Sequence, residues 1–186
     1  DDKLDWHRDT PSTPELNRCR NHICDKLESP LPINYCTEIN LYLKPWLQSL
    51  ADILKQGSML FIDYGFLADT YYHPQRHSGT IMCHLQHHAH SNPLIYPGIQ
   101  DITAHVDFSA VAEAALAANC EVNGFINQAL FLTNCGITNL AAPPTNPADQ
   151  LQLANSLKKL LLPHEMGELF KVMAITKNYN NPLVGF

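Results

Sequence analysis

The run Met59-Leu-Phe-Ile-Asp63-Tyr64 constrains the fold of this 186-residue chain most. It sits between Gly57 and Gly65 and ends on an acid and a tyrosine. Such a run predicts a short strand buried on both faces. More than forty residues then follow without a sustained helical period. Connections of that length in compact domains are functional or disordered. The aromatic and histidine content of 65–108 argues against disorder. A long ordered loop leaving the carboxyl end of a buried strand is where open α/β sheets place their ligands.

The surrounding pattern is that of an α/β chain. A helix is predicted over Thr37–Gln56, capped by Thr37 with Glu38 in its first turn, bearing the stripe Ile39, Leu43, Leu47, Leu50, Ile53 and Leu54. Pro45 should kink it or begin a second segment, and Gly57 should stop it. Helix, glycine and apolar strand in succession suggest a parallel sheet. Further on, the expectations are a helix over Ser109–Asn119, a strand over Val122–Ile126 and a short helix over Gln128–Cys135 ended by Gly136. Pro143, Pro144 and Pro147 mark a loop, Asn146 caps a helix, and Phe170–Thr176 is the last strand, followed by a loose tail. Residues 1–36 are polar and proline-punctuated. They hold one helix with Thr13 as cap, Pro14 at its first position and a face of Leu16, Cys19, Ile23 and Leu27. This stretch reads as a connecting or lid segment, and 37–186 as the α/β portion.

Composition narrows the functions. The formal net charge of −6 lacks the basic face of a nucleic-acid binder. No apolar run has the length of a membrane span. The six cysteines form no CxxC pair, as expected of a reduced, intracellular chain. None of the eight glycines stands in a G-x-G arrangement, so no nucleotide-cradling loop is readable. His84, His87, His88 and His90 crowd one short segment. An extended backbone would splay them to opposite faces, so the spacing predicts no native metal site.

Three groups could carry chemistry. Asp63 and Tyr64 end a buried strand, where a carboxylate is costly unless paired. Asp63 either contacts substrate or anchors the loop that follows. In Ile102–Phe108 the alternation puts Thr103, His105 and Asp107 on one polar face, with Asp101 joining them. Neighbouring carboxylates would raise the pKa of His105 and orient its ring. Asp107 alone reads better as the cap of the next helix. In Tyr71–His77, residues Tyr72, His73 and Arg76 could wall a cationic peptide or bind an acidic group. Alternatively, the loop is pinned by its own tyrosines.

The segments IDYG at 62–65, YYHPQRHSGT at 71–80 and PGIQDITAHVDF at 97–108 resemble the MidA family of class I S-adenosylmethionine-dependent methyltransferases. Gln128-Ala-Leu-Phe-Leu132 with Cys135-Gly136, and Met166–Val172, extend the resemblance from about Thr37 onward. The family's mitochondrial members are complex I assembly factors that methylate an arginine. The resemblance therefore implies the carboxyl-terminal portion of such an enzyme: the later part of a Rossmann-like sheet with a long functional loop and added helices. It implies S-adenosyl-L-methionine as cofactor of the intact protein and a protein arginine as substrate. The family's glycine-rich cofactor motif is absent here, so this fragment by itself is expected to be inactive and to bind no cofactor. Its partners would be a protein substrate and either the missing amino-terminal half or a second copy. Asp63, Tyr64, Asp101, His105 and Asp107 are the catalytic candidates; Tyr72, His73, Arg76 and Thr103 are the substrate-binding candidates. The competing expectation is a non-catalytic assembly module that grips a protein partner through 65–108.

Overall fold

The computed structural model describes residues 3–140 and 146–186. In chain order the elements are helix α1 (Pro14–Lys26), α2 (Leu43–Ile53), strand β1 (Gly57–Phe66), α3 (Ala68–Tyr71), β2 (Met82–Leu85), β3 (His88–His90), β4 (Asp101–Thr103) and β5 (Val106–Asp107). They continue with α4 (Phe108–Ala117), β6 (Glu121–Asn127), α5 (Gln128–Asn134), α6 (Ile137–Leu140), α7 (Pro147–Leu161) and β7 (Phe170–Lys177). Two compact units result: Asp1–Tyr42 with Leu67–His105, and Leu43–Phe66 with Val106–Phe186.

The second unit is a mixed sheet in the order β5-β1-β7-β6. β1 and β5 are parallel, whereas β7 runs antiparallel to both β1 and β6. The sheet is thus less parallel than helix–glycine–strand succession suggests. On one face Met59, Phe61, Phe125, Met173 and Ile175 meet Leu47 and Ala51 of α2 and Val111, Ala114 and Ala115 of α4. Each fully buried side chain of the size of Leu47, Phe108 or Ile175 contributes about 1.5–3 kcal/mol. Over the other face, Val172 and Ala174 are fully buried. The tail shares in that cover: Phe186 packs at a tilt against Phe131 with ring centroids 5.3 Å apart and lies over Gly124. The Asn134 side-chain amide also donates to the Gly185 carbonyl. The expected loose tail is in fact docked.

β1 itself departs from expectation. Along it, inward Met59 and Phe61 alternate with exposed neighbours, and Leu60 and Ile62 remain 48% and 49% exposed. One face is core; the other is half open. The predicted helix at 37–56 begins only at Leu43, because Asn40 accepts the Tyr42 N–H in a local turn. Pro45 then lies in the first helical turn, where its missing N–H is not needed, so no kink is required. β6, α5 and β7 fall within a residue of their predicted bounds. The Asn146 side chain accepts the Asp149 N–H as the expected cap of α7. The expected loop prolines Pro143 and Pro144 lie outside the described residues.

In the first unit, α1 carries its predicted stripe, but Leu16, Cys19, Ile23 and Leu27 are only half-buried. The segment expected to be one long loop contains its own sheet, ordered β3-β2-β4 and antiparallel throughout. Tyr71 and Tyr72 are 4% and 5% exposed and pack edge to face, 4.8 Å between centroids. A parallel bridge between Cys36 and Ser78 joins the end of the amino-terminal segment to this region. Among the described residues no helix is long and apolar enough to cross a membrane.

Candidate functional site

In the second unit, Asp63 and Tyr64 occupy the carboxyl end of β1 beside β5. The pairing Gly65–Val106 and Phe66–Asp107 sets Asp107, and with it the start of α4, level with the end of β1. Gly65 makes this possible: a Cβ there would lie 2.1 Å from the Val106 carbonyl oxygen. Asp63 is half-buried and stands opposite Lys171 across the antiparallel pair. It alternates with Phe61 and so belongs to the face that carries α4, whose N-terminal dipole favours a carboxylate. Its Oδ1 accepts the Tyr64 N–H at 2.8 Å. The Lys171 ammonium is turned to the Glu168 carbonyl. Tyr64 sets its ring edge-on to Phe170, 5.6 Å between centroids.

Asp107 is the α4 cap, as its position predicted. Its Oδ1 accepts the N–H groups of Ser109 and Ala110 at 3.0 and 3.1 Å. That engagement also bears on cofactor binding. The helix start after β5 is closed by its own carboxylate rather than left open to a phosphate-like or carboxylate group.

In the first unit, Asp101 and Thr103 share a face of β4. Asp101 is paired across the strands with His84, and the Thr103 hydroxyl donates to the Met82 carbonyl at 3.1 Å. The continuous polar face expected over 101–107 does not form. β4 ends at Thr103, β5 begins at Val106, and the two strands belong to different sheets. His105 lies in the break, its N–H donating to the Thr80 hydroxyl at 3.0 Å. Tyr72 is buried, as in a loop pinned by its own tyrosines. His73 caps the short turn Pro74–Arg76, its Nδ1 accepting the Gln75 N–H at 3.2 Å. Arg76 is half-buried. Its guanidinium is felt at Tyr35: burial pushes that hydroxyl above its ordinary pKa, Arg76 pulls it back, and Glu38 adds to the rise.

The histidines divide as an extended backbone requires. His84 is paired with Ala89 on one face of β2–β3, whereas His90 pairs with Cys83 and His88 with Leu85 on the other. Among the described residues no three His, Cys, Asp or Glu side chains gather as a metal site. Protein prepared without nickel columns should therefore carry well under one zinc or iron per chain by elemental analysis. Stoichiometric metal lost on mutating His88 and His90 would overturn that expectation.

Sequence reasoning missed Glu38 and Thr80, which tie the first unit together. Glu38 was expected in a helical first turn. The only local signal for its true setting is Gly79 inside YYHPQRHSGT.

Comparison with known proteins places the chain in a family. A family model described as "Putative S-adenosyl-L-methionine-dependent methyltransferase" matches residues 1–126. Curated relatives include the protein named protein arginine methyltransferase NDUFAF7, mitochondrial, of Danio rerio, 28% identical over 82% of this chain, and its Homo sapiens counterpart, 30% identical over 77%. The chain spans only 34% and 31% of their lengths. A crystal structure from Burkholderia thailandensis with S-adenosyl-homocysteine bound matches at TM-score 0.81 and 40% identity. It covers 94% of this chain and 44% of that one. A native crystal structure of an uncharacterized protein of the same superfamily and organism matches at TM-score 0.84 and 39% identity, over 96% and 47%. The chain belongs to the S-adenosyl-L-methionine-dependent methyltransferase family of this model, the MidA family that its motifs resemble.

Proposed function

We propose that the chain is the carboxyl-terminal portion of a methyltransferase acting on an arginine of a protein substrate, and that it supplies the substrate side of that reaction. The observation that carries the reading is the half-buried Asp63, at the carboxyl end of β1 on the face that carries α4. The sheet around it is similar to one crystallised with S-adenosyl-homocysteine. Methyl transfer from a sulfonium depends on in-line positioning more than on acid–base strength. A guanidinium substrate needs carboxylates that hold its planar fork and balance its charge. Asp63, whose Oδ1 accepts the N–H of its own neighbour Tyr64, is the carboxylate of this unit for that role. Asp107, already committed to α4, serves by fixing the helix start. The names of the relatives, protein arginine methyltransferases, support the substrate class, and their mitochondrial setting supports a matrix location for any eukaryotic form.

In the longer protein, Asp63→Asn should lower methyl transfer at least about tenfold, roughly 1.4 kcal/mol in the barrier, with little change in melting temperature. If Asp63 only anchors its loop, the melting temperature falls instead and turnover per folded molecule stays constant.

A second reading rests on the first unit, where Ile95, Ile99 and Ile102 are 50%, 70% and 53% exposed. Exposed apolar side chains grouped on one segment suit a protein partner. In that reading 65–108 grips the partner and no chemistry occurs. Cofactor binding by the longer protein separates the two: an assembly module has no need of it.

A further inference from the structure

We propose that Glu38 is a positioning residue, whose carboxylate holds the Tyr71–Ile81 segment and, through the Thr80 hydroxyl, the backbone of His105. What it positions rests on the substrate-side reading above. Oε1 accepts the N–H groups of Thr80 and Ile81 at 2.7 and 2.8 Å. Oε2 accepts the hydroxyls of Thr80 at 3.3 Å and Tyr71 at 3.4 Å. Consecutive N–H groups converging on one anionic oxygen form a small anion cradle, and hydrogen bonds to a charged acceptor are stronger than neutral ones.

Gly79 gives the cradle its shape. It has φ +76°, and a Cβ there would stand 2.3 Å from Glu38 Oε1. The left-handed backbone and the close approach both call for glycine at this position. The Thr80 hydroxyl makes two contacts at once, donating to Glu38 and accepting the His105 N–H at 3.0 Å. One carboxylate thereby fixes both ends of the candidate set in this unit: Tyr72, His73 and Arg76 lie between its Tyr71 and Thr80 contacts, and His105 hangs on the second. The two segments have an independent tether, the Cys36 N–H donating to the His77 carbonyl at 2.9 Å. The Tyr35 hydroxyl also donates to the His73 carbonyl at 3.4 Å. Loss of Glu38 therefore loosens the arrangement without separating the segments.

The test compares Glu38→Ala with Glu38→Gln, which keeps one carbonyl oxygen for the cradle. Amide hydrogen exchange on the 186-residue chain is the first readout. In Glu38→Ala the amides of Thr80, Ile81 and His105 should exchange at least about tenfold faster, while those of β7 are unchanged. Glu38→Gln should restore most of the protection at Thr80 and Ile81. The second readout is kinetic, in the longer protein: Glu38→Ala should raise KM for the protein substrate at least about tenfold with kcat within about threefold, and Glu38→Gln should recover most of it. Faster exchange throughout the chain, unaltered exchange at Thr80 and Ile81, or an unchanged KM each overturns the proposal. Should the unsubstituted longer protein methylate no arginine, the function proposed above fails, and the exchange pattern alone decides whether Glu38 holds these segments.

Discussion

Gly65→Ala should destabilise the chain by roughly 3 kcal/mol, the range of a core clash that cannot be relieved by turning a side chain. The added methyl would meet backbone, not a movable side chain: the Val106 oxygen at 2.1 Å, with the Val106 carbonyl carbon and amide nitrogen each at 2.9 Å. Either β5 moves away from β1 or β1 bends at the residue after Tyr64. Both responses pull Asp107 and the start of α4 out of line with Asp63. The variant should therefore lose methyl transfer in the longer protein at least as severely as Asp63→Asn, and lose stability besides. Gly98→Ala is the control. Gly98 is also left-handed, at φ +84°, but a Cβ there meets nothing within 4 Å, so that change should cost only about 1 kcal/mol of backbone strain. Denaturation midpoints of the two variants measured side by side decide the matter. Equal midpoints would mean that the close approach of β1 and β5 does not constrain residue 65.

What the sequence disclosed and what it hid follow one physical division. α5, α7 and β7 were legible because each carries a local signal: Gly136 as a stop, Asn146 as a cap, an apolar run over Val172–Ile175. Local chemistry fixes such elements regardless of what packs on them. Asp107 was legible for the same reason. Glu38 was not. Its acidic side chain after a threonine fits a helix start, yet its hydrogen bonds go to residues more than thirty positions away. The polar face over 101–107 failed differently. Alternation predicts which side chains share a face only while the chain stays in one sheet, and here it leaves one sheet at Thr103 and joins another at Val106. Tyr72 shows the same limit, since its burial depends on what folds over it rather than on its neighbours in sequence.

β1 is the remaining case, and it carries the largest expected effect: the 186 residues by themselves should fail to bind S-adenosyl-L-methionine usefully. Its sequence is apolar enough for burial on both faces, yet Leu60 and Ile62 stay half exposed while Val172 and Ala174, on the same face of β7, are fully covered. Along its free edge β1 pairs with β5 only at Gly65 and Phe66, whereas β7 pairs with it from Gly57 to Tyr64. A strand whose sequence expects more cover than it has, with most of one edge without a strand partner among the described residues, is a surface for further strand pairing. The chain has no G-x-G turn, and the helix start after β5 is closed by Asp107. Under the function proposed above, the cofactor cradle is expected in the rest of that protein, with an adjoining strand on β1. The isolated chain should either hold that remaining part as a tightly bound fragment or bury the β1 edge against a second copy. Calorimetry with S-adenosyl-L-methionine, on this chain and on the longer protein in parallel, tests the first half. Micromolar binding by the 186 residues alone would falsify it. Light scattering tests the second half, because a well-behaved monomer free of any bound fragment would show that β1 tolerates an open edge.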